Sequence, residues 1–436
     1  MQKIRQFILV VGDIFLAFVA LFLTLNIRYL GVFTKELFNQ HLLAFAIIYF
    51  VWLVIFYVFG LYDLTVLRPK GELATKIAQT FSVCLVMGLT FFYLIPFFGI
   101  TPKRNLLIDI GIFGLLITIW RKMFYRIFSS VYLQNVAFLG DNNLARTLAY
   151  EIKACPQVGY KQVGFLNPDF NITQALKKHQ VKILIISKDI TGDKRLINKL
   201  YGLIPLKISF LDLSEAYEII LQKVPIDFLN QAWFLKNISK LNREIYDKLK
   251  RMSDIVLSGL ILALTSPFWV LTALLIKLED RGPVFYRQER VGKDGKVFKI
   301  WKFRSMKPDA EKQGAQWAKD KDIRRTKTGT FIRRFHIDEF PQMLNVLKGD
   351  ISLTGPRPER PEFVKNLERQ IPHYHLRHLI KPGFTGWAQT RWIKYARSQE
   401  DSHEKFQYDL YYIKNRSLAL DLSILLKTFQ LFFTKG

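Results

Sequence analysis

Cysteine is nearly missing: Cys84 and Cys155 are the only two in 436 residues. That excludes a disulfide framework, because stapled domains are dense in cysteine. Acidic side chains are also scarce, 36 Asp and Glu against 63 Lys and Arg, which leaves a formal net charge of +27. The sequence has no Gly-x4-Gly-Lys-Ser/Thr phosphate loop and no helix-turn-helix or RNA-recognition signature, and its basic residues are scattered through membrane-flanking segments. Nucleic acid is therefore not the expected partner. What the chain does have is apolar side chains, half of all residues, with 37 Phe. Intrinsic disorder is excluded by that figure. A chain both apolar and basic fits a membrane protein whose cations face anionic membrane lipid or an anionic ligand.

Four apolar stretches, roughly Phe7–Leu30, Leu42–Leu61, Ile77–Phe98 and Leu106–Trp120, approach the ~20 residues of a spanning helix. The first is too long for a cleaved signal and is expected to be retained. Lys3 and Arg5, then Arg68, Lys70 and Lys76, then Arg121, Lys122 and Arg126 mark cytoplasmic ends, although Arg28, Lys35, Lys103 and Arg104 dilute the bias. An even number of spans leaves the rest of the chain inside. Asp13 and Asp109 lie within spans and could mark an ion path, but two isolated acids with no repeated polar stripe and no inverted repeat favour a structural reading. Beyond Asn135 the runs Val136–Leu139, Ile183–Ser187 and Ile208–Leu213 alternate with helical stretches, the order of a parallel βαβαβ unit. Asn142 stands where a dinucleotide fingerprint wants glycine, so the signal for a cofactor there is weak.

The apolar run Ile255–Leu278 is interrupted by Ser266-Pro267, where a break is expected and where the serine hydroxyl can satisfy a carbonyl freed by proline. Lys248, Lys250 and Arg251 flank one end, and Lys277, Arg281, Arg287 and Arg290 the other. Basic residues at both ends favour a helix that enters and leaves the same leaflet; the alternative is a fifth span. Asp294-Gly295 predicts a type I′ hairpin, with Lys302 and Arg304 on one face of its second strand, either as a pair suited to a diphosphate or as a solvated basic strand. Ile332–Gly349 reads as a helix with Pro341 in its first turn and Gly349 as its stop, which puts Asp338 and Glu339 at its amino end. Asp338 is then either an N-cap or a reactive acid beside Arg324, Arg325, Arg333 and Arg334. Pro356 and Pro358 hold Arg357 between two rigid residues.

Arg287-Gln-Glu-Arg-Val-Gly292, Lys302-Phe-Arg-Ser-Met306, Asp338-Glu-Phe-Pro-Gln342, Leu344-Asn-Val-Leu-Lys-Gly-Asp350, Gly355-Pro-Arg-Pro358 and Lys381-Pro-Gly-Phe-Thr-Gly-Trp387 together resemble the bacterial sugar transferases, or polyprenyl-phosphate glycosyl-1-phosphate transferases. The resemblance implies three parts: a membrane α-helical bundle of four spans (1–130), an α/β Rossmann-like cytosolic domain (131–235) and an α/β monotopic catalytic domain (245–436) with a re-entrant broken helix over 254–279. It also implies transfer of a sugar phosphate from a UDP-sugar to undecaprenyl phosphate at the inner membrane. Asp338 would be the nucleophile and Glu339 the Mg²⁺ ligand, with Lys302, Arg304, Arg333, Arg357, Pro356, Pro358 and Asp409 around the substrate. A homodimer is compatible with the spans and the middle domain. A noncatalytic scaffold or a transporter is the alternative to catalysis. Topology is testable directly: a cysteine introduced at Lys296 is expected to resist a membrane-impermeant thiol reagent added outside intact cells, and labelling there would mean a crossing helix.

Overall fold

The computed structural model describes residues 2–30, 32–64, 72–94, 103–130, 133–168, 171–187, 193–226, 231–238, 243–310, 322–391 and 398–433. Arg68, Lys70 and the Phe98 end of the third expected span lie outside them. The chain forms two compact units, Met1–Leu221 and Gln222–Gly436.

The first unit opens with four helices, α1 (Gln2–Arg28), α2 (Lys35–Val58), α3 (Glu72–Leu94) and α4 (Lys103–Ser130). Large side chains fill their common core, among them Trp52, Phe45, Phe56 and Phe113, all fully buried. Helices α1, α2 and α3 are long and apolar enough to cross a membrane. The expected fourth span folds as α4, but Lys103, Arg104, Asp109, Arg121, Lys122 and Arg126 are spread along it. The fourth helix that is apolar enough comes from the second unit, Glu244–Asp280. Inside the bundle, the buried Asp13 takes a two-pronged ion pair from Arg121 (2.9 and 2.6 Å). Asp109 accepts from Tyr49 at 2.8 Å and Thr24 at 3.3 Å. Both acids are thus bound within the helix packing.

The remainder of this unit is β1 (Gln134–Leu139), α5 (Asn143–Ala154), β2 (Tyr160–Leu166), α6 (Ile172–Lys178), β3 (Ile183–Ile186), α7 (Lys194–Tyr201), β4 (Ser209–Asp212) and α8 (Leu213–Leu221). The strands form a parallel sheet in the order β2-β1-β3-β4. Alternation decides its faces: Val136, Phe138, Ile183 and Ile185 pack under α5 and α8, while Ala137, Leu139 and Leu184 pack under α6 and α7. Strand β2 was not legible in the sequence, because Tyr160-Lys-Gln-Val-Gly is an edge strand with polar residues and no clean alternation. Asn142 caps α5: its Oδ1 accepts from the Ala145 amide at 2.8 Å and its amide donates to the Ser187 carbonyl at 2.7 Å.

The second unit starts earlier than the sequence pattern suggested. Val224, Ile226, Phe234 and Ile238, the last two on α9 (Gln231–Ile238), pack with Leu367, Trp387, Phe406 and Tyr412, so a boundary at residue 235 would cut through a core. Then come α10 (Glu244–Asp280), β5 (Phe285–Val291), β6 (Val297–Phe303), α11 (Lys327–Arg334), α12 (Gln342–Lys348), β7 (Ser352–Thr354), α13 (Pro361–Gln370), β8 (Gly383–Thr385), α14 (Trp387–Arg391), α15 (Gln399–Asn415) and α16 (Leu418–Phe433). The β5-β6 hairpin turns as expected: Asp294 and Gly295 have φ of 55° and 75°, closed by the Lys296 amide on the Lys293 carbonyl at 3.1 Å.

Helix α10 does not stop at Ser266-Pro267 but runs through it for 37 residues. Proline removes one donor, the one owed to the Ala263 carbonyl, and Ser266 Oγ supplies it instead at 2.9 Å. Leu257, Ile261 and Leu262 dock against Met343, Val346 and Leu353, while Leu264, Phe268, Val270 and Leu271 are exposed. Both ends of α10 are fastened to the same unit. Arg251 donates to the Val346 and Leu347 carbonyls at 2.6 Å, and Asp254 accepts from the Leu353 amide at 3.0 Å. At the far end the Glu279 carboxylate accepts the Lys327 and Thr328 amides at 2.7 and 3.0 Å, and Asp280 pairs with Arg304 at 2.8 Å.

The bundle yields a stability prediction. Arg121→Ala strands the buried Asp13 and should lower stability by about 3–5 kcal/mol, read as a fall in Tm in detergent, while Asp13→Asn with Arg121→Gln should lose less.

Candidate active site

Three chain segments converge on one carboxylate. The first is β6, whose Lys302 Nζ donates to Glu339 Oε1 at 3.1 Å. The second is the Gly355–Glu359 loop, whose Arg357 donates through Nη2 to that same oxygen and through Nη1 to the Phe384 carbonyl at 3.0 Å. The third is the stretch between α11 and α12 that holds the acids themselves. The expected single helix over Ile332–Gly349 is broken here: His336 adopts a left-handed φ of 54°, Ile337–Glu339 form one 3₁₀ turn, and Pro341 starts α12, which Gly349 ends at φ 92°. Asp338 and Glu339 therefore lie in the turn ahead of the helix, not on it.

The two acids differ in their company. Glu339 sits between two cations. Burial alone would raise its carboxyl, but Arg357 and Lys302 outweigh that and hold it well below the usual range. Asp338 is 4% exposed, makes no hydrogen bond among the described residues, and faces Arg333 Nε at 3.9 Å. Burial, followed by the neighbouring charge of Glu339, pushes its carboxyl up. The pair thus contains one stabilised carboxylate and one poorly stabilised carboxylate, the separation of roles expected of a reactive dyad.

Arg357 is held by its own backbone. The carbonyls of Pro356, Arg357, Pro358 and Glu359 accept, respectively, from the Gly383 amide (2.9 Å), Arg377 Nη2 (2.9 Å), Arg290 Nη1 (3.0 Å) and the Val291 amide (2.9 Å). Gly383 has to be glycine, since any Cβ there would run into the Gly355 backbone. Arg377 in turn pairs with Asp409 at 2.8 Å and lies 3.9 Å from Glu359, which Lys405 also engages. Asp409 is thus placed behind Arg357, acting through Arg377. Pro356 and Pro358 contribute rigidity and carbonyls. Arg304 does not share a partner with Lys302: β6 ends at Phe303, and Arg304 pairs with Asp280.

Sequence reasoning passed over Asn345. Its Oδ1 accepts the Trp301 amide at 3.0 Å, and its Nδ2 donates to the Lys299 carbonyl at 2.9 Å and Asp350 at 3.0 Å. That welds β6 to α12 and sets Lys302 opposite Glu339. Glu359, Arg377 and Lys405 were missed for the same reason, since their partners lie tens of residues away and no local spacing announces them.

The family model described as bacterial sugar transferase matches residues 245–435. The UDP-N-acetylgalactosamine-undecaprenyl-phosphate N-acetylgalactosaminephosphotransferase of Aeromonas hydrophila is 45% identical over 222 residues, 51% of this chain and 52% of that protein. The UDP-glucose:undecaprenyl-phosphate glucose-1-phosphate transferase of Escherichia coli is 44% identical over 181 residues, 41% of this chain and 39% of that one. The exopolysaccharide production protein PSS of Rhizobium leguminosarum bv. phaseoli is 38% identical over 193 residues, 43% of this chain and 96% of that protein. The chain thus spans about half or less of the first two relatives and nearly all of the third. With a relative matched over almost its whole length and the acidic dyad lying inside the matched region, the chain belongs to the bacterial sugar transferase family.

Proposed function

We propose that the chain transfers a sugar 1-phosphate from a UDP-sugar to undecaprenyl phosphate on the cytoplasmic face of the bacterial inner membrane, releasing UMP and initiating exopolysaccharide, capsule or O-antigen synthesis. The observation that carries this reading is the buried Asp338, left out of the ion pair that engages Glu339 and flanked by the cations Lys302, Arg333 and Arg357. Phosphoryl transfer asks a protein chiefly for positioning and for neutralised charge, and this arrangement supplies both.

In the first half-reaction an Asp338 oxygen attacks the sugar-bearing β-phosphorus. The new P–O bond forms as the bond from that phosphorus to the bridging oxygen breaks, and UMP leaves with that oxygen. In the second half the acceptor's phosphate oxygen attacks the same phosphorus, the acyl-phosphate bond breaks, and the Asp338 carboxylate is restored. A carboxylate short of hydrogen-bond donors keeps its charge concentrated, which favours attack. Lys302, Arg333 and Arg357 take the diphosphate charge. Arg304, paired with Asp280, contributes by fastening α10.

Among the described residues no three His, Cys, Asp or Glu side chains cluster as a metal cage. Mg²⁺ needs only one or two carboxylates when substrate phosphates complete its shell, and Glu339 fits that requirement as a hard oxygen donor. Glu339 Oε2 makes no hydrogen bond among the described residues. Bound there, Mg²⁺ would offset the charge that builds on the transferring phosphate.

We read α10 as re-entrant. Its ends are both basic and both fastened to the same unit, through Arg251 and Asp254 at one end and Glu279 and Asp280 at the other, which supports entry and exit on one side of the bilayer. The exposed face with Leu264, Phe268 and Leu271 then meets acyl chains.

Purified protein given Mg²⁺, undecaprenyl phosphate and a panel of UDP-sugars should release UMP with at least one of them. Asp338→Asn should cut that release at least about a thousandfold. Chelation with EDTA should stop it and added Mg²⁺ restore it. Turnover retained by the Asn variant would remove Asp338 as nucleophile.

A further inference from the structure

The pairing of Lys302 and Arg357 with a single oxygen of Glu339 poses a problem for the proposed reaction, because these are the cations that a donor's diphosphate needs. In the structure both are engaged by Glu339. The side chains are largely sheltered, Lys302 at 19% exposure and Glu339 at 13%, so neither charge can fall back on water if its partner leaves. A phosphate oxygen and a carboxylate oxygen offer a guanidinium and an ammonium the same charge-assisted contact, so the two compete for one place.

We propose that Glu339 is a resident anion that holds the donor's diphosphate subsite closed and yields it only to a nucleotide arriving with a divalent cation. This rests on the reading of the site given above and adds to it an order of events. When diphosphate takes over Lys302 and Arg357, Glu339 becomes a buried carboxylate without a counter-ion, a costly state unless a cation replaces them. Its oxygens then become ligands for that cation. Nucleotide and metal thus depend on each other through Glu339, and each must raise the other's affinity by the same factor. Asp338 stands outside the exchange, since it shares neither Lys302 nor Arg357 as a hydrogen-bond partner. The nucleophile is therefore not the group that blocks the subsite.

The test is equilibrium binding of UDP to the full-length protein in detergent, with EDTA or with Mg²⁺, followed by calorimetry. Wild type should bind UDP weakly in EDTA and at least about tenfold more tightly with Mg²⁺. Glu339→Gln should bind UDP in EDTA about tenfold more tightly than wild type and gain less than twofold from Mg²⁺. Asp338→Asn removes an equal charge from the same turn, and its gain in EDTA should be clearly smaller. In an Arg357→Ala background the gain from Glu339→Gln should shrink to less than about threefold. Equal gains from Glu339→Gln and Asp338→Asn would reduce the effect to net charge and overturn the proposal, as would metal-free affinity in Glu339→Gln no better than wild type. A measurement on wild type alone guards against a misfolded variant: Mn²⁺ titrated in the presence and absence of UDP should show the same coupling factor as UDP titrated with and without Mn²⁺, and a factor of one overturns the proposal. The two readings fail separately, since UMP release abolished by Asp338→Asn upholds the transferase whatever these titrations give.

Discussion

Lys302 and Arg357 reach Glu339 from 37 and 18 residues away along the chain, and both are half-buried cations for which it is the compensating charge. Much of the second unit can be understood as the apparatus that brings them there. Asn345 ties β6 to α12 so that Lys302 faces the turn, the carbonyls from Pro356 to Glu359 are each held by a donor so that Arg357 does, and a left-handed His336 lets the chain break between two helices so that the acids sit at the junction. The asymmetry within the dyad follows from this. The cations go to one acid, and its neighbour is left buried with its charge poorly compensated.

The same rule, that polar groups removed from water need named partners, governs the apolar parts. Asp13 within the first helix is matched by Arg121, one oxygen of Asp109 by Tyr49 and Thr24, and the carbonyl freed by Pro267 by the preceding serine hydroxyl. Both acids that invited a transport reading are bound to side chains of neighbouring helices. Proline in α10 costs a donor without ending the helix, because Ser266 sits within reach of Ala263.

Much of the site was legible because its chemistry is local in sequence. Asp338-Glu-Phe-Pro-Gln342 and Gly355-Pro-Arg-Pro358 carry their residues side by side, and Asp294-Gly295 announces its turn by backbone preference alone. What stayed hidden depends on distance or on edges. Nothing within ten residues of Asn345 says that it will bond to β6, and the period-2 rule that grouped Lys302 with Arg304 could not see that the strand ends at Phe303. Asp409 was singled out beside the substrate; in the structure its partner is Arg377, which also holds the Arg357 carbonyl. Strand β2 and the 222–238 segment were obscured by weak alternation and by packing that only the folded unit displays.

The four tethered carbonyls of the Arg357 loop come from no single neighbour: the donors belong to β5 and the residue before its end, to β8 and to the turn carrying Arg377. Such a loop has no resting place in a half-made protein. A nascent chain whose later strands are still emerging would display the acids without the arginine that completes them. The arginine thus joins the acids late and all at once, only after β5, the Arg377 turn and β8 have met around its loop.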